Sequence, residues 1–278
     1  MYTMETMRQE IAAAVEKVRA LKPLAPSITN TVTVNFVANA QLAAGGTAAM
    51  IYLPDEAEAL AEAGASFYIN VGTLLPIYRE TVPLAAQKLH ALHKPWVLDP
   101  VAIGIGSLRT ELLSLLKNYP PAVIRGNASE IIALAGLWNL SGGTETSNVH
   151  GVDSTDTVQA ARLAAISLAR FTGGAVAVSG TVDLITDGRQ AVCSYGGSSL
   201  MESITGCGCS LGGVIAVYSA VASPFIAALC GTAAYNFAGR EAERHAAGTG
   251  SFQLAFLDAL YNASPKDISL TQFTLEEV

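Results

Sequence analysis

Residues 96–135 read WVLDPVAIGIGSLRTELLSLLKNYPPAVIRGNASEIIALA and contain two short apolar runs, each followed by a helical pattern. Residues 96–98 and 122–124 are predicted strands, and residues 108–116 and 128–135 are predicted helices. Strands that alternate with helices are typical of a mainly parallel sheet with helices on both faces. This stretch therefore predicts an α/β fold.

The alternation continues on both sides of this stretch. Toward the N-terminus, the predicted helices are 7–21, 32–44, 55–63 and 76–92, and the predicted strands are 47–52 and 66–71. Toward the C-terminus, we predict a loop over 136–153, a helix over 155–171, an antiparallel edge from strands 175–179, 183–186 and 191–195, and helices almost throughout from Gly208 onward. Because no repeat or linker interrupts the pattern, residues 1–278 are expected to form a single domain.

The composition narrows the possible partners. Hydrophobic residues make up 51% of the chain, charged residues make up 14%, and the net charge is −7. No cluster of Lys and Arg exceeds a few residues, so we expect no nucleic-acid partner, which would require a basic face. A surface with few charges is compatible with contacts between subunits, and we expect an oligomer.

Residues 203–239 contain no Asp, Glu, Lys, Arg or His and are long enough to raise the question of a membrane span. The segment is rich in Gly, Ala and Ser and is interrupted at Ser223-Pro224, so two buried helices with a turn between them fit better. The first ten residues are polar and do not resemble a signal peptide. We therefore expect a cytoplasmic protein whose cysteines are reduced thiols without a zinc-site spacing, namely Cys193, Cys207, Cys209 and Cys230.

Thr205-Gly206-Cys207-Gly208-Cys209 is the strongest functional signal, and an apolar helical run follows it. A glycine-rich loop that opens a helix presents free backbone N–H groups and the positive end of the helix dipole to an anion. Glycines also allow a phosphate to approach the backbone closely. The alternative is a tight turn between packed elements, and the absence of Gly-Lys-Ser/Thr excludes a Walker A motif.

Two strand ends carry charged side chains. Arg125 follows an apolar strand and suits phosphate oxygens through its two-pronged guanidinium, and Glu130, at the start of the next helix, suits Mg²⁺. The local alternative is that Asn127 caps this helix and forms a capping box with Glu130, and both interpretations can hold together. Asp99, before Pro100, either orients a metal ion or forms a turn.

Taken together, these segments resemble the hydroxyethylthiazole kinase family. They occur in the family's order between about residues 27 and 215, and the Arg-Gly-Asn-x-x-Glu and Thr-Gly-x-Gly-Cys pieces are the most specific. The matching pieces are Ile28-Thr29-Asn30 with Asn35 and Ala38-Asn39, Gly45-Gly46 leading to Met50, Asp99-Pro100-Val101-Ala102, Ile124 to Glu130, Ser179-Gly180-Thr181-Val182-Asp183, and Thr205 to Cys209.

The resemblance implies a ribokinase-like three-layer sandwich, a homotrimer with active sites between subunits, and phosphorylation of the hydroxyl group of 4-methyl-5-(2-hydroxyethyl)thiazole by ATP and Mg²⁺. The residues that it implies for the substrate are Met50, Gly206 and Asn30. Those for the nucleotide are Arg125, Ser179 and Asn127, those for the metal are Asp99 and Glu130, and those for catalysis are Gly206, Cys207, Gly208 and Cys209.

Three details of the match concern chemistry. Cys209 occupies the place where related sugar kinases carry an aspartate base, so it either accepts the hydroxyl proton or only orients the hydroxyl group. Cys207 stands where the family usually has a small unreactive residue, and a helix N-terminus that lowers its thiol pKa would make it sensitive to oxidation. Ser179 replaces a frequent threonine and keeps the hydroxyl group.

Three alternatives remain open at this point. A related kinase would act on a hydroxymethylpyrimidine, although Cys209 in place of an aspartate favours the thiazole. A dehydratase or repair enzyme of the same fold would act on hydrated nicotinamide nucleotides. A nucleotide or thiazole sensor would bind without catalysis, but the metal-type residues Asp99 and Glu130 argue against this.

Overall fold

The computed structural model describes residues 1–144, 154–276 and 278, and its centre is a nine-stranded sheet. The strand order is β2-β1-β3-β4-β5-β6-β7-β8-β9. The strands are β1 Leu24–Ile28, β2 Thr47–Met50, β3 Phe67–Asn70, β4 Trp96–Asp99, β5 Val123–Asn127, β6 Ala175–Ser179, β7 Asp183–Thr186, β8 Ala191–Ser194 and β9 Phe273–Glu276.

The strands β1 to β6 are paired in parallel, and β7, β8 and β9 extend the sheet in antiparallel pairs. This arrangement confirms the predicted mainly parallel sheet with an antiparallel edge. Parallel strands end at the same edge of a sheet, and ligands of open α/β sheets bind there. The residues that close β3, β4, β5 and β6 therefore share one edge.

Helices cover both faces of the sheet and bury a hydrophobic core on each side. Successive side chains of a strand point to opposite faces of the sheet. Tyr68 and Val97 therefore belong to one core, and Phe67 and Leu98 belong to the other. The first face carries α1 Met4–Leu21, α2 Val34–Ala43, α8 Cys207–Ser219, α9 Pro224–Glu243, α10 Thr249–Asn262 and α11 Pro265–Ser269, and the second carries α3 Pro54–Ala63, α4 Tyr78–Ala91, α5 Ser107–Leu116, α6 Ala128–Leu137 and α7 Ser154–Thr172.

Two strands were not predicted. Strand β1 contains Pro26, which has no N–H group to donate and argues against a strand between two neighbours, yet β1 pairs with both β2 and β3. Strand β9 lies in the polar tail and pairs only with β8, as the last strand of the sheet. Its sequence carries little signal of a strand, because Phe273 is the only buried residue among its four.

The uncharged segment forms two helices, α8 and α9, with a turn at Ser223-Pro224 as predicted. In the described part of the chain, no helix is both long enough and apolar enough to cross a membrane. Helix α6 extends into the predicted loop as far as Leu137, and residues 145–153 of that loop lie outside the described residues. A single domain over residues 1–278 stays a prediction.

Gln41 links three elements of the first face. Its side chain is fully buried, and its amide nitrogen donates to the carbonyl oxygen of Ala25 and to the hydroxyl oxygen of Ser27, each at 3.0 Å. The same nitrogen lies 3.3 Å from the carbonyl oxygen of Gly213 in α8. A buried amide is stable only when it is hydrogen-bonded, so Gln41 holds α2, β1 and α8 in a fixed arrangement.

Replacing Gln41 with leucine removes these hydrogen bonds from a buried site. We expect Gln41→Leu to lower the free energy of unfolding by about 1–3 kcal/mol in urea titrations. Leu42→Ala, at the neighbouring position that is 51% exposed, is the matched control and should change the free energy by less than about 0.5 kcal/mol. A Gln41→Leu protein as stable as the wild type would contradict this role.

Candidate active site

Three strands deliver polar side chains to the same edge of the sheet. Asn70 and Asp99 are the last residues of β3 and β4 and lie opposite each other in the strand register. Arg125 lies in the neighbouring strand β5. Because residues opposite each other in paired strands point to the same face, these side chains meet beside the start of α8.

A buried ion pair forms the centre of this cluster. Asp99 is fully buried, and its Oδ2 atom lies 3.4 Å from Nη1 of Arg125, which is itself 7% exposed. Burial raises the pKa of Asp99 to about 7, although the Arg125 charge lowers it. Burial lowers the pKa of Arg125, but the surrounding groups, led by Asp99 and Glu130, together raise it by more, so the guanidinium remains a cation. The hydroxyl oxygen of Ser179 accepts from the second terminal nitrogen of Arg125 at 3.0 Å.

Two polar atoms of this pair lack a hydrogen-bond partner within the described part of the protein. Oδ1 of Asp99 and Nε of Arg125 are buried and have no hydrogen-bond partner among the described residues. Buried polar atoms are usually paired, and an exception at a cleft indicates a missing ion, water molecule or ligand. A carboxylate oxygen suits a hard cation, and a guanidinium suits phosphate.

Glu130 stands on the other side of Asp99, and backbone amides hold both of its carboxylate oxygens. Oε2 accepts from the N–H group of Asn127 at 2.9 Å, and Oε1 accepts from that of Ala102 at 3.3 Å. The side chain of Asn127 accepts from the Glu130 N–H group at 2.9 Å, which completes the predicted capping box of α6. The cap therefore fixes both side chains beside the ion pair.

The glycine-rich loop opens α8, as its sequence predicted. Gly206 is the N-cap residue with φ of 95°, and a Cβ atom there would lie 2.8 Å from Cβ of Thr33. A Cβ atom at Gly208 would lie 2.7 Å from both terminal nitrogens of Arg125. Only glycine therefore permits this turn and this close approach of the guanidinium to the helix.

The backbone amides of this turn differ in what they bind. The Cys207 N–H group donates to the carbonyl oxygen of Ile204 at 3.3 Å. The N–H groups of Gly208 and Cys209 have no hydrogen-bond partner within the described ranges of the chain. Free N–H groups in a first helical turn, next to a buried arginine, form a site for an anion.

Cys209 lies inside this cluster as a neutral thiol. Burial and the neighbouring Asp99 raise its pKa, and Arg125 lowers it by less. The side-chain nitrogen of Asn30 lies 3.3 Å from Sγ of Cys209 and donates to the side-chain oxygen Oδ1 of Asn70 at 3.2 Å. Asn30 therefore belongs to the cluster, and the raised pKa makes Cys209 a poor proton acceptor at neutral pH.

The expectation that the helix N-terminus lowers the pKa of Cys207 was wrong. Its side chain is 7% exposed and belongs to the core of the first face. Burial raises the pKa of Cys207 to about 12, and this effect outweighs the Arg125 charge, which lowers it. A helix N-terminus favours a thiolate only where the sulfur atom faces a polar environment.

Met50 is the one predicted residue that lies apart from this cluster. It ends the edge strand β2, is half-buried, and packs against the core of the first face. Strands β1 and β3 lie between β2 and β4. At the usual spacing of neighbouring strands, β2 is therefore about 14 Å from β4.

A cleft of about 440 Å³ opens beside Arg125. On its floor, the carboxylate of Asp183 accepts from the N–H group of Gly180 at 3.1 Å and from the side-chain amide of Asn236 at 2.9 Å. Burial raises the pKa of Asp183 to about 6. Besides Asp183, the cleft is lined by residues that include Arg125, Asn127, Ser179, Gly197 and Asn236.

The sequence patterns missed three polar residues of this site. Asn236 lies in an apolar helix, and Tyr68 and Asn70 lie in a segment, residues 66–71, whose pattern indicates only a buried strand. The available signal was Asn70 itself, because a polar residue at the end of an apolar strand requires a partner.

Known proteins are similar to this chain in both sequence and fold. A model of the hydroxyethylthiazole kinase family matches residues 15–266. A hydroxyethylthiazole kinase of Bifidobacterium longum is 49% identical over 290 residues, which cover 97% of this chain and 92% of the relative. The solved hydroxyethylthiazole kinase protein of Pyrococcus horikoshii superposes with a TM-score of 0.86 at 30% identity, covering 97% of this chain and all of that one.

A more distant structure bears on the fold alone. A ribokinase-like superfamily protein of Enterococcus faecalis has a TM-score of 0.63 at 12% identity and covers 96% of this chain and 95% of its own. The predicted ribokinase-like three-layer fold is thereby confirmed.

The burial of Cys207 predicts slow alkylation. At pH 7.5, we expect iodoacetamide to label Cys207 in the folded protein at least about 100-fold more slowly than in guanidinium, because the thiolate is rare and the sulfur atom is covered. Peptide mapping by mass spectrometry measures both rates. Labelling of native Cys207 within tenfold of the unfolded rate would show that its thiol is accessible and ionised.

Proposed function

This chain belongs to the hydroxyethylthiazole kinase family, and we propose that it transfers the γ-phosphoryl group of ATP to the hydroxyl group of 4-methyl-5-(2-hydroxyethyl)thiazole. The observation that carries the proposal is the contact between the buried Arg125 guanidinium and the glycine-opened first turn of α8. Cationic groups and free N–H groups directed at one point stabilise the charge of a phosphoryl group in transfer.

The first turn of α8 acts on the transferred group. The free N–H groups of Gly208 and Cys209 donate to its oxygen atoms, and the positive end of the helix dipole adds to their effect. Gly206 has no side chain that would block the alcohol at this turn. Cys207 contributes to the shape of the turn through its backbone and not through its thiol. The hydroxyl oxygen of the substrate attacks in line with the leaving ADP.

Arg125, Ser179 and Asn127 hold the nucleotide. They line the same cleft, and the hydrogen bond between Arg125 and Ser179 fixes the guanidinium toward it. A planar guanidinium binds two phosphate oxygens at once, which aligns the triphosphate as well as neutralising it.

Asp99 and Glu130 suit Mg²⁺. Oδ1 of Asp99 is a buried carboxylate oxygen without a partner, and Glu130 lies close enough to raise the pKa of Asp99. Among the described residues, no three His, Cys, Asp or Glu side chains cluster as a metal site. Mg²⁺ is commonly held by one or two carboxylates together with substrate phosphates, and when bound it neutralises the charge of those phosphates.

Asn30, Gly206 and Met50 form the substrate side. Asn30 and Gly206 border the cluster at Cys209, whereas Met50 lies on the edge strand β2, which has no neighbour on its outer side in the described part of the chain. We propose that a second subunit covers this edge, so that the active sites lie at the subunit interfaces of a homotrimer, as the family resemblance implies. We place this homotrimer in the cytoplasm, where thiols such as the four free cysteines stay reduced.

A coupled ADP-release assay with ATP, Mg²⁺ and the thiazole alcohol tests this function, with the hydroxymethylpyrimidine as the parallel substrate. We expect ADP release that depends on the thiazole and stops when EDTA removes the metal. Turnover of the pyrimidine alone would support the kinase activity but show that the thiazole alcohol is not the substrate. No turnover of either alcohol would contradict the proposal and favour the sensor or dehydratase alternative.

Cys209 orients the hydroxyl group and does not act as the base, because its raised pKa keeps it protonated and a loose transition state needs little base catalysis. We expect Cys209→Ala to lower kcat by less than about tenfold, whereas loss of a general base typically costs about 100-fold or more. Cys193→Ala, in strand β8, is the matched control. A loss of all turnover in Cys209→Ala, with normal binding of both substrates, would make Cys209 the base.

A further inference from the structure

The hydroxyl group of Tyr68 connects the two halves of the site. Tyr68 lies in β3 and is fully buried. Its hydroxyl oxygen lies 2.7 Å from the carbonyl oxygen of Cys209, in the first turn of α8, and 2.9 Å from Oδ2 of Asp99. The side-chain amide of Asn70 donates to the same hydroxyl oxygen at 2.9 Å. One phenol thus spans the carboxylate and the helix start.

The contacts of Asp99 are unequal on its two oxygen atoms. Oδ2 is surrounded by the Tyr68 hydroxyl, the Asn70 amide at 3.1 Å and the Arg125 guanidinium at 3.4 Å. Oδ1 has no partner in the described structure. The Asn70 and Arg125 donors fix the rotation of the carboxylate, together with the Tyr68 hydroxyl, whose single proton is shared between Oδ2 and the Cys209 carbonyl oxygen. The direction of Oδ1 is thereby fixed as well.

The Tyr68 ring also sets how closely α8 approaches the sheet. A Cβ atom at Gly212 would lie 2.4 Å from a ring carbon of Tyr68 and 2.7 Å from its hydroxyl oxygen. The ring therefore packs directly on the helix backbone, which is possible only because residue 212 is glycine. This contact leaves the phenol little freedom to move.

We propose that Tyr68 is a positioning residue that holds the Asp99 carboxylate in register with the first turn of α8. The proposal rests on the proposed function, in which Asp99 serves the metal ion and the turn serves the transferred phosphoryl group. Tyr68 touches neither ATP nor alcohol in this role. It acts through Asp99 and through the Cys209 carbonyl group, and its loss leaves both catalytic parts present but free to shift relative to each other.

Tyr68→Phe tests this role, because it removes one oxygen atom and keeps the ring packing. We expect kcat to fall about tenfold, with KM values for ATP and the thiazole within twofold of wild type, as for other residues that orient a metal ligand. The affinity for Mn²⁺ in the presence of ADP, titrated by electron paramagnetic resonance, should fall about tenfold as well. Tyr218→Phe, at another buried tyrosine farther along α8, is the control and should change neither quantity.

The outcomes separate the two proposals. A wild-type protein without thiazole-dependent ADP release overturns the proposed function itself. An active wild type whose Tyr68→Phe variant keeps kcat and Mn²⁺ affinity within twofold overturns the role of Tyr68 alone, and so does an equal loss in Tyr218→Phe. A Tyr68→Phe protein that fails to fold, judged by thermal unfolding, also overturns it, because the hydroxyl group would then be required for folding rather than for positioning.

Discussion

The buried ion pair between Asp99 and Arg125 is the constraint to which the rest of the site conforms. Removing two charges from water is costly, and only close, well-oriented partners offset that cost. Those partners are the Ser179 hydroxyl on one side and the Tyr68 and Asn70 side chains on the other. The first turn of α8 approaches the guanidinium closely because residue 208 is glycine. The sheet edge, the loop and the helix are thus arranged around two charges.

Much of the fold and part of the site were predictable from sequence, and the errors have physical reasons. Alternating patterns identified most strands and helices, because burial on a sheet or helix face imposes a period. Strand β1 was missed because proline rarely occurs in a strand between two neighbours, whereas this strand pairs on both sides. The loop at Gly206 was recognisable because the turn and the close approach of Arg125 require glycines, which are visible in the sequence. The role of Tyr68 was not recognisable, since the apolar pattern of residues 66–71 is that of any buried strand. The pKa of Cys207 was misjudged because the burial of its thiol depends on the tertiary structure.

The capping box of α6 shows why a local and a functional interpretation need not compete. The hydrogen bonds that satisfy the start of the helix also hold the Glu130 carboxylate beside Asp99. A flexible acid would lose conformational freedom when it bound a cation, whereas this one has lost that freedom during folding. Under the proposed function, the same side chain therefore contributes to the stability of the helix and is held in advance in the position for a cation.

The contact between the Tyr68 ring and Gly212 has a consequence for the evolution of this protein. No side chain fits at position 212 while an aromatic ring occupies position 68. A lineage that replaces the tyrosine with a small residue becomes free to accept alanine at 212, and a lineage that first gains that alanine loses the room for a tyrosine. The two positions are 144 residues apart in the chain, yet they are expected to change together and in a preferred order.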